Sequence, residues 1–243
     1  MRLWMKAGLV VLAYGIVHAE TKEVSPLAVR ESLRPPERPE GVQVDEQGFA
    51  AWLSGFRSRA GAEGISPATL DKALKGVTPD PEVIRRDRNQ NEFTKTVWVY
   101  LDTAASADRI AAGKAALAKN AALLDRIEAQ YGVDKEIVTA IWGLESAYGA
   151  VRGGDSTIRS LATLAHDPRR RDFFEGELLA LLKAVDKGEA RLGNLKGSWA
   201  GAMGHTQFMP SSYRDHAVDF DGDGRRDIWS DDPADALAST ANY

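Results

Sequence analysis

Apolar side chains recur at helical spacing along most of this 243-residue chain, and that periodicity restricts the folds open to it. The first stripe, at positions i, i+3, i+4 and i+7, consists of Phe49, Trp52, Leu53 and Phe56. Ser66 followed by Pro67 is typical of a helix start, and Ser106 can cap a long alanine-rich helix that runs to Gly132. We find no convincing strand alternation and no internal repeat. The sequence therefore predicts the all-α class.

Further helices are expected towards the C-terminus. The spacing predicts one helix over 158–165 and another that starts at Pro168. Residues 191–232 are rich in Gly, Ser and Asp, so helices in that stretch must be short. Asp232 followed by Pro233 indicates the cap and first turn of a closing helix.

A carboxylate interrupts the apolar face of the helix predicted over 134–148. Glu145 shares that face with Val138, Ile141, Trp142 and Tyr148. Burial disfavours the charged form and raises a glutamate's pKa, and a carboxyl group still protonated near neutral pH can act as general acid in glycosidic bond cleavage. A buried Glu145 paired with an arginine, or a misassigned face, would explain the same pattern.

The segment from Gly197 to Tyr213, GSWAGAMGHTQFMPSSY, combines small residues with polar and aromatic side chains. Small residues let a ligand approach the backbone closely. Ser198 and Gln207 offer hydrogen bonds, and the aromatic rings of this segment offer flat faces for a sugar. A glycine-rich turn between two helices would look similar.

An acidic loop follows this segment. Asp219, Asp221 and Asp223, then Gly224 and Asp227, occupy positions 1, 3, 5, 6 and 9 of an EF-hand loop. Arg225 at position 7 would contribute its backbone carbonyl. Position 12 is Ser230, so the usual bidentate glutamate is missing and a later acid would have to close the site. We favour a structural calcium site over a solvated acidic turn.

The arginine run and the histidines indicate which classes of ligand and cofactor the chain can bind. The run Arg169-Arg170-Arg171 fits the dipole of a helix start poorly, so it either grips an extended polymer or forms a solvated face. The histidines at 18, 166, 205 and 216 form no His-x-x-x-His pair, which argues against catalytic zinc. No phosphate-cradling loop is present, so we expect no organic cofactor.

The N-terminal residues indicate export. Residues 1–19 have a basic start, an apolar run and a small-residue cleavage site at Ala19, as in a signal peptide, although an uncleaved anchor would look similar. Residues 20–44 are Pro-rich, and we interpret them as a linker or arm. The chain has no cysteine for lipid attachment or a disulfide, and its net charge of −4 argues against nucleic acid as a partner. We therefore expect a periplasmic protein with no transmembrane segment after cleavage.

Four long motifs resemble the lytic murein transglycosylase B family in its soluble form. They are IWGLESAYG, HDPRRRDFF, NLKGSWAGAMGHTQFMPSSY and AVDFDGDGRRDIW, in that order, and the resemblance runs from about Phe49 to Tyr243. It implies a lysozyme-like α-helical domain over 45–243 with an EF-hand-like metal loop. It also implies cleavage of the β-1,4 bond between N-acetylmuramic acid and N-acetylglucosamine in peptidoglycan, with a 1,6-anhydro product.

The resemblance also implies roles for individual residues. Glu145 would protonate the leaving oxygen and then act as base on the muramyl C6 hydroxyl, and no obvious second carboxylate accompanies it. The residues implied to bind the glycan strand are Ser146, Tyr100, Arg169, Arg170, Ser198, Gln207 and Tyr243. The calcium ligands implied are Asp219, Asp221, Asp223 and the Arg225 carbonyl, with Asp235 closing the site.

Two alternatives to the transglycosylase remain open. One is a water-using muramidase with Asp155 as second carboxylate, and the other is a calcium-stabilised peptidoglycan-binding module without turnover. We expect the C-terminal part of the family domain to be missing after Tyr243, which bears on the second alternative. Cell-wall enzyme complexes are possible partners in all three cases.

Overall fold

The computed structural model describes residues 44–89 and 96–243. The signal-peptide prediction and nearly all of the 20–44 arm lie outside these ranges. The helices in the described ranges are α1 (Glu46–Ala62), α2 (Pro67–Leu74), α3 (Pro81–Arg88), α4 (Val97–Ala104), α5 (Ala107–Lys119), α6 (Ala121–Tyr131), α7 (Lys135–Ser146), α8 (Thr157–His166), α9 (Arg171–Asp186), α10 (Pro210–His216) and α11 (Ala234–Asn242). The predicted all-α class is confirmed.

Two short strands accompany the helices. β1 (Asp155–Ser156) pairs antiparallel with β2 (Lys196–Gly197), with Asp155 opposite Gly197 and Ser156 opposite Lys196. The sequence analysis predicted no strand, because segments of two residues are too short to show the alternation that marks one. Their pairing ties the entry to α8 to the start of the glycine-rich segment.

Helix caps explain why the N-terminal helices begin where they do. The Asp45 side chain accepts a hydrogen bond from the Gly48 amide at the start of α1, and Ser66 accepts one from the Thr69 amide at the start of α2. Phe49 belongs to the stripe predicted on α1 and is 2% exposed. Burying such a side chain contributes about 1.5–3 kcal/mol.

Two hydrophobic cores organise the chain. The larger core lies around α8, whose residues from Thr157 to Ala165 are nearly all buried, and takes side chains from α1, α2, α3 and α9. The second core joins α6, α7 and α11, with Leu124, Val138, Trp142 and Leu237 at its centre. Because α7 belongs to the second core, the C-terminal helix α11 helps to place the Glu145 helix.

Three predicted boundaries differ from the structure. The alanine-rich stretch predicted as one helix is divided at Asn120, whose side-chain amide donates to the Ala116 carbonyl and ends α5. α7 stops at Ser146 because the next residue, Ala147, is left-handed with a φ of 51°. α9 begins at Arg171 rather than at Pro168, because residues 167–170 form a turn.

α4 has largely exposed side chains. None of its residues is buried, and its apolar side chains from Val97 to Leu101 all face solvent, with Trp98 76% exposed. Within the described residues, we find no helix with both the length and the apolar character needed to cross a bilayer.

Candidate active site

Glu145 lies in the last turn of α7, one residue before the helix ends. Its side chain is exposed, less enclosed than the apolar pattern predicted. Desolvation by the surrounding protein nevertheless raises the pKa of the Glu145 carboxyl above its ordinary value. The Glu145 carboxyl group is thus accessible to a ligand and also partly desolvated by the surrounding protein. An open cleft provides such an environment. No arginine or other cation pairs with it among the described residues, so the alternative of a buried ion pair is not supported.

The chain leaves α7 through three successive left-handed residues. Ala147, Tyr148 and Gly149 have φ values of 51°, 59° and 85°. The Tyr148 amide donates to the Trp142 carbonyl at 3.3 Å, which closes the end of the helix. Left-handed backbone costs on the order of 1 kcal/mol for a residue with a side chain, so neighbouring contacts must hold this turn.

Tyr148 supplies such contacts through a slot between α5 and α7. Its hydroxyl donates to the Arg109 carbonyl at 2.9 Å. A Cβ added at Gly113 or Gly143 would lie 2.7 Å and 2.5 Å from the Tyr148 side chain, so glycine at both positions leaves the room that the ring occupies. The Arg109 guanidinium also donates to the Gly143 carbonyl at 2.8 Å.

Ser146 faces the protein interior. It is 2% exposed, and its hydroxyl donates to the His205 carbonyl at 2.5 Å and accepts from the Gly149 amide at 2.9 Å. The family resemblance implies a role for Ser146 in glycan binding. The structure instead commits its hydroxyl to joining α7 and the following turn to the glycine-rich segment.

His205 is a further residue of this region that sequence reasoning missed. Its ring is 3% exposed, and its Nδ1 lies 3.1 Å from the Trp142 indole nitrogen. Its Nε2 lies 2.7 Å from the Ser230 carbonyl. The sequence analysis considered His205 only as a zinc ligand, and nothing in the local pattern indicated a partner 63 residues away.

The glycine-rich segment packs tightly against its surroundings. A Cβ at Gly201 would come within 2.4 Å of the Leu161 side chain, and one at Gly204 within 2.4 Å of the Ile228 carbonyl oxygen. The half-buried Ser198 hydroxyl accepts from the Ala202 amide at 3.0 Å. Among residues 44–89 and 96–243 its own proton has no acceptor, so it can donate to a ligand.

Gln207 and Tyr243 lie near the end of this segment. Gln207 has a left-handed φ of 51°, and its amide nitrogen donates to the carbonyls of Gly204 at 2.9 Å and Arg152 at 3.2 Å. Tyr243 is 44% exposed, and its ring centroid lies 5.9 Å from that of Phe208. Desolvation raises the Tyr243 pKa above its ordinary value. These contacts place both predicted residues beside the segment that contains His205.

Tyr100 and the two arginines have no described contact with the end of α7. Tyr100 lies on α4 and is 48% exposed. Arg169 pairs with the buried Asp87 carboxylate at 2.8 Å, across the junction of α3 with the turn before α9. The Arg170 guanidinium lies 4.8 Å from the Phe174 ring centroid. Both arginines therefore have structural partners, and the structure leaves their glycan-binding role a prediction.

Asp155, the second carboxylate of the muramidase alternative, is already paired. It lies in β1 with its side chain 44% exposed, and its Oδ2 is 3.3 Å from an Arg86 guanidinium nitrogen. This ion pair occupies one of the two Asp155 carboxylate oxygens.

The acidic loop brings its three predicted aspartates together. Carboxylate oxygens of Asp219, Asp221 and Asp223 lie within 4.8 Å of one another, and all three residues are exposed. The Gly222 and Gly224 amides donate to the two Asp219 oxygens at 2.8 and 2.9 Å, which shapes the loop. Three converging oxygen donors match the preference of a hard cation such as Ca²⁺.

Asp235, the predicted closing ligand, does not join this cluster. It is 2% exposed, and its two oxygens accept from the Phe220 and Asp227 amides, each at 2.8 Å. Desolvation raises the Asp235 pKa above its ordinary value. Asp235 therefore braces the backbone behind the loop, and its role as the closing metal ligand stays a prediction.

Two cavities complete the description of the region. One, of about 360 Å³, lies beside His205 and is lined by Arg152, Gly193, Asn194, Lys196, Gly204, Trp229, Ser230 and Asp231. The other, of about 390 Å³, is lined by residues of α1, the end of α2 and the loop that follows it. Glu145 lines neither of the two, so cavity size alone does not identify the site.

Comparison with known proteins identifies the family. The family model described as "Transglycosylase SLT domain" matches residues 48–243. The chain is 51% identical over 122 residues to membrane-bound lytic murein transglycosylase B of Escherichia coli K12, covering 49% of this chain and 33% of that protein.

Solved structures agree with this match. SltB3 from Pseudomonas aeruginosa, in complex with NAG-anhNAM-pentapeptide, is 51% identical with a TM-score of 0.76, covering 80% of this chain and 52% of that one. The Escherichia coli lytic transglycosylase Slt35, in complex with calcium, is 34% identical with a TM-score of 0.68, covering 86% of this chain and 67% of that one.

The match covers most of this chain but a smaller share of its relatives. The chain spans 33% of the Escherichia coli protein and 52% of SltB3. The resemblance inferred from the four motifs is confirmed. Because the family model spans residues 48–243, the chain belongs to the Transglycosylase SLT domain family, among relatives of the lytic murein transglycosylase B type.

Proposed function

We propose that this chain is a lytic transglycosylase that cleaves the β-1,4 bond between N-acetylmuramic acid and N-acetylglucosamine in peptidoglycan. The observation that supports it best is the state of Glu145: a ligand can reach the carboxyl group, desolvation raises its pKa, and no cation pairs with it within the described ranges. SltB3, at 51% identity, was solved in complex with NAG-anhNAM-pentapeptide, a compound with the anhydro group that this reaction forms.

Glu145 performs both proton transfers in this proposal. In its protonated form it donates to the oxygen that leaves with N-acetylglucosamine, and the resulting carboxylate then accepts the proton of the muramyl C6 hydroxyl. That hydroxyl attacks C1 and closes the 1,6-anhydro ring without water. A two-carboxylate hydrolysis through Asp155 would require a carboxylate that already pairs with Arg86.

A glycan strand is the proposed partner of the surface around Glu145. The Ser198 hydroxyl can donate to a sugar, and the exposed rings of Tyr100 and Tyr243 can stack on one. The Gln207 side-chain oxygen can accept from a sugar hydroxyl, because its amide nitrogen is engaged by the Gly204 and Arg152 carbonyls. Arg169 and Arg170 would contribute from the turn before α9. Ser146 would support the site indirectly by holding the end of α7, since its hydroxyl already donates to the His205 carbonyl.

The acidic loop fits a calcium ion. Asp219, Asp221 and Asp223 would hold the ion through their carboxylates and Arg225 through its carbonyl oxygen, whereas Asp235 would hold the loop backbone. Slt35, at 34% identity, was solved in complex with calcium. The ion would stabilise the loop by neutralising converging negative charge. The proposal needs no organic cofactor.

Export of the chain is part of the same proposal. Peptidoglycan lies outside the cytoplasmic membrane, and residues 1–19 have the pattern of a cleaved signal peptide. The periplasm would then be the working compartment, where other cell-wall enzymes are candidate partners.

Mass spectrometry of the products from purified peptidoglycan tests the function. We expect anhydro-muropeptides from the wild-type chain and a loss of turnover of about 10²–10⁴-fold in Glu145→Gln, because Gln cannot donate a proton as an acid does. Glu136→Gln, on the exposed first turn of the same helix, is the matched control and should retain wild-type turnover.

Other products would contradict the proposal in distinct ways. Reducing ends in place of anhydro groups would indicate a water-using muramidase. Unchanged peptidoglycan that nevertheless retains the protein would indicate a binding module. Wild-type turnover in Glu145→Gln would remove Glu145 from the mechanism.

A further inference from the structure

His205 lies where three parts of the chain meet behind Glu145. Its ring contacts Trp142 of α7, its carbonyl accepts from Ser146 at the end of α7, and its amide donates to the Ile228 carbonyl at 3.1 Å. A Cβ on Gly149 would lie 2.6 Å from the His205 ring, so the turn after α7 also packs directly on it. The His205 ring thus contacts residues that precede Glu145 in the sequence (Trp142) and residues that follow it (Gly149).

The hydrogen bonds determine which ring nitrogen of His205 carries the proton. An indole nitrogen can only donate, so Nδ1 must accept from Trp142 and carry no hydrogen. Nε2 then carries the hydrogen and donates to the Ser230 carbonyl at 2.7 Å. Both partners are satisfied by one neutral tautomer, and a second proton on Nδ1 would break the bond to Trp142.

The charges around the ring also favour its neutral form. The Arg152 guanidinium lies 3.3 Å from Nε2 and is itself held by the Ser230 carbonyl at 2.8 Å and by Asp231. Burial lowers the pKa of His205 below its ordinary value, and the Arg152 charge acts in the same direction. The hydrogen bond to the Ser230 carbonyl and the charges of Asp231 and Asp227 oppose this shift without reversing it. Arg152, Asp231 and Asp227 are the charged neighbours to consider in any pH effect.

We propose that His205 is a positioning residue for Glu145: its neutral, Nε2-protonated ring joins the end of α7 to the 228–231 segment and holds the carboxylate in its working geometry. The inference rests on the proposed function, since it concerns turnover by Glu145. A displacement of about 1 Å in a catalytic group can lower the rate by about a hundredfold. Loss of the His205 hydrogen bonds could therefore lower the rate more than their contribution to the free energy of unfolding suggests.

Two substitutions separate the hydrogen bonds from the packing. His205→Leu removes both bonds, and we expect kcat on soluble glycan strands to fall about ten- to a hundredfold while KM changes less than about threefold. His205→Gln keeps one acceptor and one donor without a titratable ring, and we expect kcat within about threefold of wild type. Near wild-type kcat in His205→Leu, or equal losses in both variants, would overturn the proposal.

The pH profile gives a readout that a purely structural role would not move. The His205 ring is neutral at pH values above its lowered pKa and takes up a second proton as the pH falls through that pKa. Wild-type kcat should therefore decrease on the acid side of its pH profile. This decrease is the acid limb of the profile. His205→Gln should lose this acid limb. His166→Gln, which removes a half-buried histidine packed on Phe49 and Trp52, is the control and should keep it. An unchanged acid limb in His205→Gln would contradict the proposal.

The tautomer can be measured without any turnover. Long-range ¹H–¹⁵N NMR of histidine-labelled protein should show His205 protonated at Nε2 and unprotonated at Nδ1, and Trp142→Phe should shift its titration to higher pH. A wild-type His205 protonated at Nδ1 would overturn the inference even if every variant fails to fold. A wild-type chain with this tautomer but no product from peptidoglycan would instead count against the proposed function.

Discussion

The end of α7 is held by side chains from distant parts of the sequence, whereas the acidic loop at 219–224 is shaped largely by its own neighbours. The Trp142–His205 bond joins residues 63 positions apart, and the ring is 3% exposed. Asp219 bonds amides only three and five positions ahead, and it is exposed. The first region is stiffened by burial and is hard to see in a sequence. The acidic loop can be predicted from the spacing of its residues alone, but its carboxylates are exposed to solvent.

Two glycines provide the sharpest test of this difference. Gly149 beside His205 and Gly224 in the acidic loop have nearly the same φ, 85° and 86°. Alanine at either position costs about 1–2 kcal/mol of backbone strain. A Cβ at Gly149 would also strike the His205 ring, whereas one at Gly224 meets nothing within 4 Å. We expect Gly149→Ala to lower the free energy of unfolding by about 1–3 kcal/mol more than Gly224→Ala.

Urea unfolding in the presence of a chelator measures both variants on the same footing. Equal losses would show that the packing behind Glu145 is loose enough to absorb a methyl group. That result would remove the contrast between the two regions.

Calcium should stabilise the loop and act much less on the region behind Glu145. At a free concentration ten times its Kd, an ion that binds only the folded chain adds about 1.4 kcal/mol to the free energy of unfolding. Thermal unfolding with calcium and with chelator should therefore differ by a few degrees. Asp221→Asn should abolish the difference, and Asp172→Asn at the exposed start of α9 should not. If the Tm is the same with calcium and with chelator, the loop is a solvated acidic turn and not a calcium site.

The smallest expected effect concerns the pH dependence of stability at Glu145. Its folded pKa is raised, so the folded chain binds the proton more tightly than the unfolded chain does. The stability linked to this proton is present at low pH and lost as the pH rises through the folded pKa. Glu145→Gln should therefore unfold at a slightly higher temperature than wild type at pH 8 and at the same temperature near pH 4. A constant difference would indicate that desolvation does not govern this carboxyl group.

Local signals in the sequence predicted the helices well. Ser66 caps α2 and Ser106 caps α5, as their spacing from the apolar stripes indicated. The break at Asn120 was missed because asparagine ends a helix by a side-chain bond that competes with helix propagation, and composition does not reveal when it does so. The two-residue strands were too short to detect.

The site was predictable in its types of residue but not in their orientation. The family motifs indicated Glu145 and Ser146 as a pair, yet Glu145 is exposed to solvent whereas Ser146 is buried in the protein. Asp235 was expected among the loop carboxylates and instead accepts backbone amides. Which way a side chain points depends on tertiary contacts, and a sequence pattern contains no record of them.

The Trp142–His205 bond also implies an order of events during folding. α6 and α7 are adjacent in sequence and can pair early, because short loops close at little entropic cost. The contacts of His205 with Trp142 and Ser230 close a loop of more than sixty residues and require the 228–231 segment as well, so we expect them to form among the last contacts of the domain. A chain that folds as it emerges would thus acquire its helices well before it acquires a competent acid. Under the proposed function, delayed maturation of the site would suit an enzyme that acts on peptidoglycan.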